Sequence, residues 1–253
     1  MASTKKHIVN QSLELAYNQT TGAWPGVVFL CGHGSDMQGN KALFLEQWAL
    51  QRGISFLRFD YSGHGQSGGK FLETNISDWT RDTIGILDNL TNGPQILVGS
   101  SLGGWLMLNV ALKRPERIAA LVGIAAAPDF TEDLIWNTLN TSEKAAFEKT
   151  GKIDISNPYS SDLIRYPYHL IQDGRKHLKL RNSLPILKPV RLVHGLADAE
   201  VPWETSVKLA TCLESDDVIM HFDKTATHRF SEESHLSFLA AILDDLVEKL
   251  KFS

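Results

Sequence analysis

A short run of glycines and serines, Gly99-Ser100-Ser101-Leu102-Gly103-Gly104, is the strongest candidate for chemistry in this sequence. It follows an apolar stretch at 95–98 and precedes a stretch with helical spacing, which is the context of the G-x-S-x-G turn. Small residues let a strand turn sharply into a helix there, and the central side chain then projects above the edge of the sheet. That central residue is Ser101. Ser100 is the poorer candidate, because it would need a small residue in place of Val98.

Three carboxylates downstream of Ser101 could complete a catalytic triad. A serine hydroxyl is a weak nucleophile at neutral pH, so a base must lie beside it and a third group must orient that base. In the chain order that accompanies this turn, the acid comes second and the histidine last. We rank Asp198 first for the acid, because it follows the apolar run at 190–194. Ligands of parallel sheets bind at the carboxyl ends of the strands, where this loop would lie. Asp129 is second and Glu200 third.

His228 is the best candidate for the base among the nine histidines. It alone lies between the last predicted strand and the last predicted helix, whereas His221 falls within that strand and His235 within that helix. A lone histidine in a loop is more often a solvated side chain than a base. Its place after Ser101 and Asp198 in the expected order favours the catalytic role.

Two backbone N–H groups should bind the oxyanion that attack on a carbonyl would form. One belongs to Leu102, the residue after the nucleophile, where the helix also presents its positive dipole end. The other should come from the turn Cys31-Gly32-His33-Gly34, and we choose the N–H of His33. The His33 side chain is assigned no catalytic role.

Alternating apolar runs and helical patterns supply the elements that must position these residues. The runs at 27–30, 54–59, 96–98 and 118–124 alternate with helical spacing at 41–51, 76–90 and 102–112. The series resumes with strands at 190–194 and 218–222 and helices at 203–213 and 232–250. Nearly unbroken apolar strands are typical of a sheet covered on both faces. We therefore predict an α/β fold with a mostly parallel central sheet and helices on both faces.

The interval between residues 128 and 189 is too long for an ordinary crossover loop. We expect it to form a helical cap, inserted at about 129–188 into a single domain that spans 1–253. Candidate helices within it lie at 131–139, 142–149 and 161–180.

The composition is that of an ordinary globular protein. Of 253 residues, 43% are hydrophobic and 21% charged, and the net charge of −4 gives no support to a nucleic-acid partner. With two distant cysteines a disulfide framework is not expected. No apolar run has membrane-spanning length and no signal peptide is evident, so we expect a cytoplasmic protein, or a mitochondrial matrix protein if a transit segment has been removed. The oligomeric state is not predicted.

The glycine-rich stretch at 63–68 matches G-x-G-x-x-G but is not followed directly by a helix, so a dinucleotide site is not expected. We find no set of metal ligands and predict neither a cofactor nor a metal.

The cap region carries several basic residues: Arg165, Arg175, Lys176, His177, Lys179 and Arg181. We favour a solvated face for most of them, with an anion-binding role as the alternative. The aromatic residues Trp105, Trp136, Tyr166 and Tyr168 could line an acyl pocket, although most of them are expected to serve packing. Trp105, Trp136 and Arg175 are the residues that we propose to bind substrate.

The sequence resembles the α/β-hydrolase superfamily. The matching stretches lie at 32–37, 58–63, 93–108, 191–195 and 201–203 and include His228-Arg229. Within that superfamily it is similar to a family of acyl-ester and thioester hydrolases with mitochondrial and bacterial members. The resemblance implies that Ser101 is the nucleophile, Asp198 the acid, His228 the base and the turn at Gly32-His33 the oxyanion loop.

These observations together predict a cofactor-free serine hydrolase of carboxylic esters or thioesters that works through an acyl-enzyme. Its substrate would be a small molecule or an acylated protein. Two alternatives stay open: an acyltransferase or amide hydrolase with the same triad, and a binding protein of the same fold without turnover.

Overall fold

The computed structural model describes residues 4–10, 13–156 and 162–251. The strands are β1 (Thr4–Asn10), β2 (Leu13–Thr20), β3 (Ala23–Leu30), β4 (Ile54–Phe59), β5 (Gln95–Ser100), β6 (Ile118–Ile124), β7 (Lys152–Ser156), β8 (Leu163–Pro167), β9 (Val190–Gly195) and β10 (Val218–Asp223). The α-helices are α1 (Asn40–Arg52), α2 (Ile76–Leu90), α3 (Leu102–Lys113), α4 (Thr141–Thr150), α5 (Tyr168–Gly174), α6 (Glu204–Cys212) and α7 (Glu233–Lys251).

Eight strands form one sheet in the order β1-β2-β4-β3-β5-β6-β9-β10. All neighbours from β4 to β10 are parallel, whereas β1 pairs with β2, and β2 with β4, in the antiparallel direction. Every residue of β5, β6 and β9 is buried, as expected for strands covered by helices on both faces. The predicted mostly parallel sheet is confirmed. The two antiparallel strands at its edge were not predicted.

The carboxyl ends of the parallel strands lie at one edge of the sheet and bring distant parts of the chain together. His33 follows β3, Ser101 follows β5, Asp198 follows β9, and His228 follows β10. The buried helix α3 connects β5 to β6, helix α6 connects β9 to β10, and helix α7 follows β10. No helix in the described ranges is long and apolar enough to cross a membrane.

The insertion at about 129–188 contains less helix than the sequence predicts. Helix α4 agrees with the prediction at 142–149, but residues 131–138 form π and 3₁₀ turns instead of one regular helix. The helix expected at 161–180, with a break at Pro167, is present only in part: β8 before the break pairs with β7 as an antiparallel hairpin, and α5 after it ends at Gly174. Pro167 lacks an N–H group, so a helix can begin after it but cannot run through it. The predicted first residue, Ser161, lies outside the described residues.

Two buried carboxylates hold the insertion in place, one by contacts within it and one by contacts with helix α2. Asp129 accepts the backbone N–H groups of Lys179 and Leu180 at 2.7 and 2.8 Å. Asp173 of α5 accepts the backbone N–H and the hydroxyl of Ser77 in α2, both at 2.8 Å. Asp129 therefore draws the two ends of the insertion together, and Asp173 fastens the insertion to α2.

Candidate active site

Ser101 lies at the sharp turn between β5 and α3 in a strained backbone conformation. Its φ of 54° and ψ of −116° are unusual for a residue with a side chain, and strain of this kind persists only where the surroundings enforce it. The Ser101 N–H donates to the carbonyl of Ile124, and its own carbonyl accepts the N–H of Ala127. A Cβ atom at Gly103 would lie 2.1 Å from the carbonyl oxygen of Leu30, which explains why this turn needs glycine.

His228 lies between Ser101 and Asp198. Its Nε2 atom is 3.0 Å from Ser101 Oγ, and its Nδ1 atom is 2.7 Å from Asp198 Oδ2. Because the carboxylate can only accept, Nδ1 carries the proton and Nε2 accepts the serine hydroxyl. The three groups are therefore arranged for transfer of the serine proton to the imidazole.

The Asp198 carboxylate accepts four N–H groups. Oδ1 accepts the backbone N–H groups of Glu200 and Val201, both at 2.9 Å. Oδ2 accepts from His228 and lies 3.1 Å from Nε2 of His194. Burial alone would raise the pKa of Asp198, but the hydrogen bonds from His194, His228 and Val201, together with the electrostatic influence of His228, lower this pKa well below its usual range. Asp198 therefore stays ionised at any working pH.

The loop that carries His228 is tied to the end of β9. The Asp223 carboxylate accepts the backbone N–H groups of Thr225 and Ala226, and the N–H of Ala197 donates to the carbonyl of Ala226 at 3.1 Å. A Cβ atom at Gly195 would lie 2.0 Å from that same carbonyl oxygen. Glycine at 195 therefore lets the acid loop and the histidine loop approach closely enough for their side chains to meet.

The turn after β3 lies against Ser101. A Cβ atom at Gly32 would be 3.4 Å from the Cβ atom of Ser101. In the described ranges, the backbone N–H groups of His33 and Leu102 donate to no protein acceptor. Both groups are thus available in the part of the site where the sequence predicts an oxyanion hole.

The glycine-rich loop at 63–68 and the neighbouring Tyr61 support this turn. His64 Nε2 accepts the N–H of Gly34 at 3.3 Å, and the Tyr61 hydroxyl donates to the carbonyl of Cys31 at 3.1 Å. Burial lowers the pKa of His64 to about 4, and the hydrogen bond to the Ser62 carbonyl opposes this effect only in part. His64 is therefore neutral at physiological pH and can accept the Gly34 N–H.

The His33 side chain packs in an aromatic cluster. It stacks on Tyr166 of β8 with ring centroids 5.2 Å apart and contacts Phe71, Trp79 and Phe130. Burial first, and the neighbouring His64 second, lower the pKa of His33 to about 3, so the ring stays neutral. This arrangement fits a packing role for the ring and no role as a base.

A cavity of about 770 Å³ opens onto Ser101 and His228. One wall is apolar and comes largely from the insertion, with Phe130, Leu134, Ile135, Ile155, Ile164 and Tyr166 among its lining residues. The other wall is polar and comes from the loops of the sheet, with Ser35, Asp36, Asn40, Lys41, Glu200 and Arg229. An apolar acyl group and a polar leaving group could therefore occupy different sides of the same cavity.

The residues predicted to bind substrate lie elsewhere. Trp105 is completely buried and donates its indole N–H to the carbonyl of His177. Trp136 packs against Phe147, and the guanidinium of Arg175 lies 4.7 Å from its ring centroid. Trp105, Trp136 and Arg175 do not line the cavity, so the structure does not support a substrate role for any of them.

The basic residues of the insertion are mostly paired with acids. Arg165 binds Asp154, Arg175 binds Glu132, Lys176 binds Asp173, and Arg181 binds Asp133. Ion pairs of this kind satisfy the cations locally, which favours the solvated face over anion binding.

The two lower-ranked acids are also accounted for. The oxygens of Asp129 bind the backbone of Lys179 and Leu180, away from His228. Glu200 lines the cavity, and its backbone N–H, not its carboxylate, reaches Asp198. Among the described residues, no group of three or more His, Cys, Asp or Glu side chains could hold a metal ion.

Sequence reasoning missed two residues near the reacting groups. His194 contacts Asp198. It lies only four residues before Asp198, at the end of the strand that leads into the Asp198 loop, and this spacing could have revealed it. Lys41 of α1 reaches the cavity, where burial and then Arg229 lower the pKa of its ammonium to about 8. No local pattern in the sequence identifies Lys41, because the contact depends on how α1 packs.

Comparison with known families gives a match over much of the chain. The family described as serine aminopeptidase, S33, matches residues 25–170. The chain is 40% identical over 237 residues to the mitochondrial palmitoyl-protein thioesterase ABHD10 of Homo sapiens, covering 93% of this chain and 77% of that protein.

Solved structures show the same relationship. The alpha/beta hydrolase domain-containing protein 10 from mouse superimposes with a TM-score of 0.92 at 37% identity, covering 98% of this chain and 99% of that chain. A putative hydrolase from Agrobacterium vitis S4 gives a TM-score of 0.91 at 31% identity, covering 97% and 98% of the two chains. The resemblance predicted from sequence is confirmed.

Proposed function

Since this chain belongs to the α/β-hydrolase family of serine hydrolases, and is an ester or thioester hydrolase, we propose that it works through a Ser101-His228-Asp198 triad and an acyl-enzyme. The observation that carries this proposal is the continuous line of hydrogen bonds from Ser101 Oγ to His228 and from His228 to Asp198, at 3.0 and 2.7 Å. It is supported by the strained backbone of Ser101 and by the cavity that opens onto its hydroxyl.

In the proposed reaction, His228 Nε2 takes the proton of Ser101 while Oγ attacks the carbonyl carbon of the substrate. The carbonyl oxygen becomes an oxyanion, which the N–H groups of His33 and Leu102 bind. His228 then protonates the leaving alcohol or thiol as its bond to the acyl carbon breaks. Water attacks the acyl-enzyme by the same steps, releasing the acid and restoring the serine. Asp198 stabilises the imidazolium and fixes its tautomer throughout.

We further propose that the chain is one domain in which residues 129–188 act as a cap that binds the acyl group. Ile155 and Ile164 are opposite each other in the β7-β8 hairpin, and both line the cavity. A wall of this kind suits a hydrocarbon chain, because burying each methylene contributes about 0.8 kcal/mol. Acylated proteins, the substrate named for the ABHD10 relatives, are therefore candidate substrates beside small esters.

The experiment is a series of p-nitrophenyl esters and acyl-thioesters of increasing chain length, measured as kcat/KM. We expect kcat/KM to rise with chain length until the apolar wall is filled. A fluorophosphonate probe should label one site, and mass spectrometry should locate the label on Ser101. Labelling at another residue would contradict the nucleophile.

The alternatives on the same triad are separated by their products. An acyltransferase would pass the acyl group to an added alcohol or amine in preference to water, and an amide hydrolase would cleave an anilide as readily as an ester. We expect the free acid as the main product and slow anilide turnover.

The ABHD10 relatives are named mitochondrial, which supports the mitochondrial alternative over the cytoplasmic expectation. We propose the mitochondrial matrix as the compartment in which to look for the substrate.

A further inference from the structure

His194, the fifth residue of β9, is a fully buried histidine that contacts the same carboxylate as His228. Its Nε2 atom lies 3.1 Å from Asp198 Oδ2 and 3.0 Å from the carbonyl oxygen of Val201. Both of these atoms are acceptors, so Nε2 must carry a proton. Its Nδ1 atom lies 2.7 Å from the buried hydroxyl of Ser206 in α6, which can donate to it. The neighbours of His194 thus favour the neutral ring with the proton on Nε2.

This contact completes the set of donors around the proposed acid. Backbone N–H groups hold Oδ1 of Asp198, so without His194 the side chain of His228 would be the remaining donor to Oδ2 among the contacts described above. A hydrogen bond donated to a carboxylate makes it less basic and restricts its rotation. His194 therefore changes both the orientation and the effective charge of the group that faces His228.

We propose that His194 is a positioning residue of the catalytic site. Its Nε2–H holds Asp198 Oδ2 in line with His228 and weakens the electrostatic attraction between the carboxylate and the His228 ring. The proposal rests on the catalytic role proposed for Asp198. His194 itself is fully buried at the end of the strand and is not among the residues that line the cavity, so it acts through Asp198.

Other charged groups also surround the triad and must be held constant. Asp36, Lys41, Glu200 and Arg229 line the cavity, and Asp223 holds the loop of His228. None of them is altered in the variants below. A change in the pH dependence of the reaction can then be assigned to the loss of the Nε2–H donor.

The test compares His194→Met, which removes both ring nitrogens, with His194→Gln, whose amide N–H reaches to a similar distance. For His194→Met we expect kcat to fall about ten- to hundredfold, the fold-change that corresponds to one hydrogen bond to a charged group. We also expect the acid limb of kcat/KM to move to higher pH, because His228 is protonated more easily beside a carboxylate that has lost a donor. His194→Gln should recover most of both effects.

A purely structural role for His194 would lower the melting temperature and leave the acid limb where it is in the wild-type protein, and that result would overturn the proposal. A second measurement needs no variant. In wild-type protein labelled with ¹⁵N-histidine, NMR at neutral pH should show His194 protonated on Nε2 and His228 on Nδ1. Finding His194 protonated on Nδ1 alone would also overturn it.

The Ser101→Ala variant separates an error in this inference from an error in the proposed triad. Full activity in a Ser101→Ala protein would remove the proposed function and this inference with it. Loss of activity in Ser101→Ala together with an unchanged pH profile in His194→Met would remove this inference alone.

Discussion

Two of the groups of serine, histidine and aspartate in the described part of the chain differ in how the three side chains are connected. In the cavity, His228 lies between Ser101 and Asp198. At the junction of α2 and α5, Ser77 lies between the other two, with Oγ 2.8 Å from Asp173 Oδ1 and 2.7 Å from His177 Nε2. The same residue types therefore produce opposite hydrogen-bond directions.

The direction of the serine proton decides which group can react. Asp173 can only accept, so the Ser77 hydroxyl donates to it, and His177 then donates its Nε2–H to Ser77. The Ser77 hydroxyl donates its hydrogen bond to a carboxylate, so no base is placed to take its proton. The Ser77 backbone is part of a regular helix. Ser101, in contrast, donates to a neutral imidazole and sits in a strained turn beside a cavity. Composition alone would not separate the two groups, but connectivity does.

The largest difference between the two groups is expected when each serine hydroxyl is removed in turn. Ser101→Ala should lower kcat for p-nitrophenyl esters by about a millionfold, the effect of losing the nucleophile of such a triad. Ser77→Ala should keep activity within a few-fold of the wild type. Steady-state kinetics with burst titration measures both, and loss of turnover in Ser77→Ala with an intact fold would mean that the second group takes part in the reaction.

The next change replaces each carboxylate by an amide of the same shape. Asp198→Asn should reduce kcat by about 10⁴-fold, because the amide favours the wrong imidazole tautomer. Asp173→Asn should leave kcat largely intact and lower the free energy of unfolding by about 1–3 kcal/mol, as hydrogen bonds from Ser77 to a charged group are weakened. Urea unfolding and kinetics on the same two proteins provide the measurement. Equal losses of activity in the two variants would argue against the assignment.

The smallest expected effect is in the pH dependence of stability. Burial first, and neighbouring lysines in addition, lower the pKa of His177 in spite of the Asp173 charge. A histidine whose folded pKa is lowered loses stability as pH falls below its ordinary value near 6.5, since the unfolded chain takes up the proton first. His177→Gln should therefore lose less stability between pH 7.5 and pH 5.5 than the wild type, measured by urea unfolding at each pH. A larger loss in the variant would mean that the charge of Asp173 dominates.

Much of the sheet and its helices is predictable because each element carries its own pattern. Strands β4 and β6 and helix α2 begin and end where the sequence predicts. Strand β8 was predicted as helix, since its pairing with β7 is not visible in either segment alone. β2 was missed because its burial comes from antiparallel pairing with β4 at the edge of the sheet.

The candidate site divides in the same way. Ser101, Asp198 and His228 are predictable from chain order, because parallel strands end at one edge. His194 depends on which way a residue at the end of β9 points, and Lys41 depends on the packing of α1. The residues proposed to bind substrate do not line the cavity: Trp105 packs against Phe130 of the insertion, and Trp136 packs against Tyr168 within the insertion.

One face of the β7-β8 hairpin lines the cavity and the other is exposed. Ile155, Ile164 and Tyr166 point to the cavity, whereas the ion pair between Asp154 and Arg165 spans the two strands on the exposed side. The proposed catalytic residues all belong to loops of the sheet, so the hairpin can change its inner residues without altering any of them. Preference for one acyl chain over another can thus evolve, or be engineered, by exchanging a few aliphatic side chains while the reaction itself is inherited unchanged.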